Sequence, residues 1–397
     1  MSRTTKSEVM VKLRRRYLTA GVEHKGKLID EAVSLMGYHR KAAIRALNAS
    51  SGPRMSFLTG RPREYEAKEL LPVLGRIWRA ADYPCGRRLV AMLPDWMAGY
   101  EEYEKRVPEA IKEPLLKVSA RTLDRLLQPL RVRRGPRSLT RPGSLLRQQI
   151  PIRGSFWEEG KAGWLEVDTV ALCGGSVAGD FIWMVDAVDY QTAWVSVRAM
   201  WNRGQESTLG ALQDMERTLP FALLGLDSDN GGEFLNHHVL KWLQKRARPV
   251  FMTRSRPYKK DDNAHVEQKN WTHIRQWFGY ERYDNAEAVE PINDLVRGPY
   301  SQLLNCFHAN LKLVRTERND GRVKKVYEQA RTPLARVLES GEVCAKTKER
   351  LREQKRRLNP FALKAEVERR LKEIESLRCG KKGTEWKEQV SVGGRGA

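Results

Sequence analysis

GLDSDNGGEF, residues 225–234, closes an apolar run with a knot of acids around a turn. Asp227, Asp229 and Glu233 stand close together, and Asn230, Gly231 and Gly232 allow a tight hinge at a strand end. Crowded carboxylates repel one another and take up protons unless something positive compensates. The chain as a whole carries 72 Lys and Arg against 49 Asp and Glu, a formal net charge of +23. Such an excess favours a polyanionic partner, nucleic acid or an anionic membrane surface. In a chain built to hold nucleic acid, the natural counter-charge for these acids is a metal ion.

The residues around this stretch supply a pattern. GWLEVDTVA (163–171), DFIWMVDAVDY (180–190) and TAWVSVRAMW (192–201) are rich in β-branched and aromatic residues and predict a three-strand antiparallel meander. A helix follows over 204–219, then a strand over 222–229, a helix over 233–247, a strand over 249–255 and a helix over 263–279, the order βββαβαβα. Asp168 lies inside the first strand among Leu165, Val167 and Val170, where an acid is costly unless paired or ligating. Asp229 closes the fourth strand, where α/β sheets present functional side chains. Glu267 lies one turn into the last helix. Asp227 points to the same side as Asp229 but deeper in the sheet, and is expected to be structural. Asp186 and Asp189 are expected as structural or turn residues, and Glu233 as a helix cap.

LEVDTV, LDSDNGGEF and NAHVEQKN together resemble the catalytic core of retroviral-type integrases and bacterial insertion-sequence transposases. That resemblance, firm over about 160–280, implies a ribonuclease H-like fold and a DDE triad of Asp168, Asp229 and Glu267. It implies an enzyme of phosphoryl transfer, a DNA strand transferase that cuts element ends and joins them to target DNA. The triad would bind Mg²⁺ or Mn²⁺, two ions, as hard oxygen ligands. The alternatives are a non-catalytic DNA-binding regulator with the same fold, against which an intact triad argues, and a ribonuclease H-like nuclease.

The remainder of the chain divides around that core. Residues 1–128 are expected to be helical, 129–155 a basic linker, 156–280 the core, and 281–397 a mixed region ending in an amphipathic helix (360–377) and a disordered tail. KLIDEAVSLMGYHRKAAIRALN (27–48) predicts helix, turn at Gly37, helix, with Lys41 and Arg45 on a face left open for DNA. LLKVSARTLDRLLQPLR (115–131) predicts a second such unit, with Ser119 as cap, Pro129 as stop, and Arg121 and Arg125 exposed. The linker carries arginines at 131, 133, 134, 137, 141, 147 and 153 and no acid, which suits an arm tracking phosphates, with Arg133 and Arg134 among the expected DNA contacts. Arg254, Arg256, Lys259 and Lys260 cluster beside the acids in a loop that could clamp a strand end. KVYEQARTP is expected to run into a turn at Pro333. The partners expected are double-stranded DNA and further copies of the chain on it, and no membrane. The five scattered cysteines form no C-x-x-C pair and fit a reducing cytoplasm, near the nucleoid in a bacterial cell.

Overall fold

The structure, a computed structural model, describes residues 3–49, 65, 67–131, 161–228, 234, 237–254, 270–319 and 322–378. The chain divides into two compact units, 1–64 and 65–397.

In the first unit, α1 (Arg3–Thr19), α2 (Val22–Met36) and α3 (Arg40–Asn48) close around one small core. Leu28, Ile29, Ala32 and Met36 recur at helical spacing and meet Leu13 and Tyr17 of α1 and Ala43 and Leu47 of α3. The expected turn is present. Gly37 takes a left-handed φ of +69°, and its amide bonds the Val33 carbonyl. His39 caps α3, accepting from the Lys41 amide. Arg14 donates to the Ala46 carbonyl at 2.7 Å and so ties α1 to the end of α3.

The second unit begins with four helices, α4 (Ala67–Ala80), α5 (Gly86–Tyr103), α6 (Glu109–Lys117) and α7 (Ala120–Leu126). Ser119 caps α7 as expected, and Leu123, Leu126 and Leu127 are buried. The Gly86 position shows how closely α5 and α7 approach: a Cβ there would lie 2.0 Å from the Ala120 carbonyl oxygen. Beyond these helices lies a five-stranded mixed sheet in the order β3-β2-β1-β4-β5. Its strands are β1 (Trp164–Ala171), β2 (Ile182–Asp189), β3 (Val195–Trp201), β4 (Gly225–Ser228) and β5 (Phe251–Arg254). The first three pair antiparallel, the predicted meander; β4 joins β1, and β5 joins β4, in parallel. The crossovers that parallel pairing requires include α8 (Gln205–Thr218) and α9 (His237–Gln244).

The meander turn is built from within. Asp189, fully buried, accepts from the amides of Gly163 (2.7 Å) and Thr192 (2.6 Å) and from the Thr192 hydroxyl (2.7 Å). Burial pushes its pKa up, and those hydrogen bonds oppose the shift.

A strand at the rim of a sheet leaves a row of backbone groups to be satisfied. Along β3, side chains do this. Asn305 accepts from the Val195 amide at 2.8 Å and donates to the Val195 carbonyl at 2.9 Å. Asn293 does the same for Ala199, at 2.8 and 3.0 Å. Arg198 donates to the Val197 carbonyl at 2.7 Å. The two asparagines come from α10 (Val289–Arg297) and α11 (Pro299–Phe307). Asn305→Leu removes both partners of a buried peptide group. It is expected to cost roughly 2–3 kcal/mol, read as a lower midpoint in denaturant unfolding.

The region whose fold the sequence left open forms a hairpin of β6 (Leu313–Asn319) and β7 (Arg322–Tyr327). The turn expected at Pro333 is instead the start of a helix, α12 (Pro333–Glu339). Thr332 caps it and Pro333 occupies its first turn, where a fixed φ and a missing N–H do no harm. Two more helices follow, α13 (Ala345–Arg356) and α14 (Pro360–Ser376).

The amphipathic face of α14 is used inside the unit. Phe361, Leu363, Val367 and Ile374 are buried, and Phe361 meets Trp96 and Tyr100 of α5 edge-on. Lys364 reaches Asp82 at 2.6 Å and lies 4.1 Å above the Trp277 ring. Trp96 donates to the Phe307 carbonyl at 3.1 Å, and Arg88 to that of Ala309 at 2.5 Å. The helices of 67–131 therefore belong to the same packed body as the sheet. Among the described residues no helix is long and apolar enough to cross a membrane.

Candidate active site

The described part of the β1–β4 ladder runs from Trp164 opposite Gly225 to Val167 opposite Ser228, and Asp168 is the next residue of β1, which continues to Ala171. Asp168 is half-buried, whereas its neighbours Val167 and Val170 are buried. Its Oδ1 accepts from the Thr169 amide at 2.7 Å, and its Oδ2 accepts from the Asn270 side-chain amide at 2.5 Å. Two fixed donors hold the carboxylate in one orientation.

Directly across on β2, Asp168 faces Asp186, which is fully buried. An isolated charge there would be very costly. His273 answers it, with Nδ1 2.9 and 3.2 Å from the two carboxylate oxygens. Asn270 and His273 come from one helical run, three residues apart, so a single helix face holds both acids of a cross-strand pair. That run includes a π-helical turn, Trp271–Arg275, continued by Gln276–Phe278. The Tyr300 hydroxyl donates to the His273 carbonyl. Burial, with Asp186 and Asp82 nearby, keeps that phenol protonated far above its ordinary range.

Further along β1, Arg275 donates to the Ala171 carbonyl at 2.7 Å. On β4, Asp227 is buried and accepts from the Thr253 hydroxyl at 2.5 Å, in keeping with a structural role. The three aspartates of β1 and β2 thus separate into Asp189, which builds the turn, Asp186, which pairs with a histidine, and Asp168, which is held by the Thr169 and Asn270 amides.

Of the residues singled out from sequence, Asp229, Glu233, Glu267, Arg133, Arg134, Arg256, Lys259 and Lys260 lie outside the described residues, and Arg254 is described only as backbone. Lys41 and Arg45 are exposed on α3, and Arg121 and Arg125 are exposed on α7. Among the described residues no three His, Cys, Asp or Glu side chains group as a metal site. Sequence reasoning missed Asn270 and His273. Their signal was spacing: Asn270 and His273 follow Glu267 at intervals of three residues, in a stretch that the sequence predicts as helix.

No protein-family model matches the chain. The chain is 34% identical over 347 residues to the uncharacterized protein y4rM of Sinorhizobium fredii (strain NBRC 101917 / NGR234), covering 85% of this chain and 96% of that one. Among solved structures, the catalytic core domain of BIV integrase aligns with 45% of this chain and 96% of its own length, at 18% identity and a TM-score of 0.27.

Proposed function

The chain belongs to the family of Sinorhizobium fredii protein y4rM, and we propose that it is a transposase, a metal-dependent DNA strand transferase with a ribonuclease H-like core. The observation that supports this best is Asp168 itself, on the strand beside β4 and held by the Thr169 and Asn270 amides. In the sequence Asp229 directly follows Ser228, the partner of Val167, and Glu267 precedes Asn270 by three residues. In this reading the three carboxylates would converge around Asp168.

Asp168, Asp229 and Glu267 would hold Mg²⁺ or Mn²⁺, two ions. The donor set fits, because it offers hard oxygens and Asp168 is already fixed by two hydrogen bonds. Bound there, the ions would polarise the scissile phosphate and lower the pKa of the attacking water or 3′-hydroxyl. The protein's own share is placement. Asn270 holds the Asp168 carboxylate, His273 and Asp186 hold the helix against β2, and the arginine arm would draw in the phosphate backbone. The reaction is in-line phosphoryl transfer, in which a 3′-oxygen bonds to phosphorus as the old P–O bond breaks. The deciding experiment is a cleavage and strand-transfer assay on the DNA repeats flanking the gene, with and without Mg²⁺. Products that need Mg²⁺ and end at the repeat boundary support the reading, and binding without any product favours a regulator.

DNA recognition is assigned to the faces of Lys41, Arg45, Arg121 and Arg125. The logarithm of the affinity of the full chain for duplex should fall linearly with log salt, with a slope of about −0.9 per phosphate contacted. Lys41→Ala with Arg45→Ala should make that slope shallower by about 2 if both reach phosphates. Titration at several salt concentrations reads this directly.

A further inference from the structure

We propose that Trp271, Arg275 and Tyr280 form a ledge that receives an unstacked nucleobase of single-stranded DNA beside Asp168. Trp271 is 50% exposed and Tyr280 44%, with ring centroids 6.3 Å apart and planes tilted by 35°. The Arg275 guanidinium lies 4.9 Å from the Tyr280 ring centre and donates to the Ala171 carbonyl. The ledge is therefore fastened to β1. Trp271 directly follows Asn270, whose amide holds Asp168. Ala171 is three residues along the strand from Asp168, about 10 Å. That span matches roughly three nucleotides of stacked strand.

A second aromatic pair in the unit shows what makes the ledge different. Phe181 and Trp183 stack with centroids 5.4 Å apart. Arg203 lies 4.7 Å over Trp183, Arg282 lies 5.2 Å over Phe181, and Phe181 is buried. Both of those rings carry a cation within the fold, as Tyr280 does with Arg275. Trp271 is half exposed, one residue from the Asn270 that holds Asp168, in a chain of net charge +23. An aromatic face with a fixed guanidinium beside it suits a base carried on a phosphate chain, because every base has a π-face and the arginine is at hand for its phosphate. A paired base cannot present that face. The occupant is therefore a base from an unpaired or frayed strand.

The proposal rests on the reading of Asp168 as part of a phosphoryl-transfer centre, and its test is chosen to stand apart from catalysis. The full chain is titrated, with Ca²⁺ in place of Mg²⁺, against two probes: a duplex with a short single-stranded overhang carrying 2-aminopurine, and the same duplex fully paired. Wild type and Asp168→Asn should both quench 2-aminopurine in the overhang. Trp271→Ala should lose the quenching and bind the overhang probe about tenfold more weakly, with affinity for the paired duplex unchanged. Trp271→Phe should restore part of both. Unchanged quenching in Trp271→Ala overturns the ledge, as does an equal loss for both probes. A change of oligomeric state in light scattering would overturn it too, since the face would then belong to a second copy. Full activity of Asp168→Asn would reject the phosphoryl-transfer reading while leaving the quenching result to be judged alone.

Discussion

Replacing Asp168 with asparagine is expected to lower strand cleavage and transfer by about a thousandfold or more, while DNA binding stays close to wild type. The substitution keeps the shape of the side chain and takes away its charge. Both carboxylate oxygens accept a hydrogen bond, so the variant keeps one of them, from Asn270, and loses the one from the Thr169 amide, while the backbone ladder of β1 and β2 is untouched. Asn is a poorer ligand for a small hard cation than a carboxylate. A thousandfold loss corresponds to about 4 kcal/mol of transition-state stabilisation. Asp229→Asn should behave alike, and combining the two should cost little more than either, because residues acting as one unit are not additive. Rates within a few-fold of wild type for Asp168→Asn would remove it from the chemistry.

The second large effect concerns stability. His273→Leu leaves the Asp186 carboxylate fully buried with its imidazole partner gone. Breaking a buried pair by removing one member costs about 3–5 kcal/mol, whereas replacing both members with apolar residues of similar size is far milder. Asp186→Leu with His273→Leu should therefore be more stable than His273→Leu alone, a reversal that a thermal melt of the single and double variants would show. Equal melting temperatures for the two would mean that Asp186 has other compensation in the fold.

Much of the sheet could be read from the chain because its strands are short, apolar and separated by clear turn residues. The meander, α8 and β4 lie within a few residues of where Trp164–Ala171, Ile182–Asp189 and Gly225–Ser228 suggest them. Helical spacing in 27–48 located Gly37 as the turn for the same reason. What the chain did not disclose were partnerships across distance. Nothing local to Asp186 announces His273, and nothing local to Asn305 announces the Val195 peptide group. The turn at Pro333 is what the transposase resemblance implies, yet with Thr332 as cap the proline begins a helix, where its missing N–H does no harm. The neighbours of Asp168 are a property of strand pairing, and emerge only when β1 is set against β2 and β4.

The asparagine bonds along β3 have a consequence for assembly. Two copies of a sheet protein can fuse by laying edge strands together, because each edge offers the other an unpaired ladder. Here that ladder is already occupied by Asn293 and Asn305, whose amides stand where a sixth strand would. If copies gather on DNA, as the proposed function implies, they would not share one continuous sheet through β3. Such a complex would be held by other surfaces or by the DNA itself, which would then set the relative angle of the two sheets.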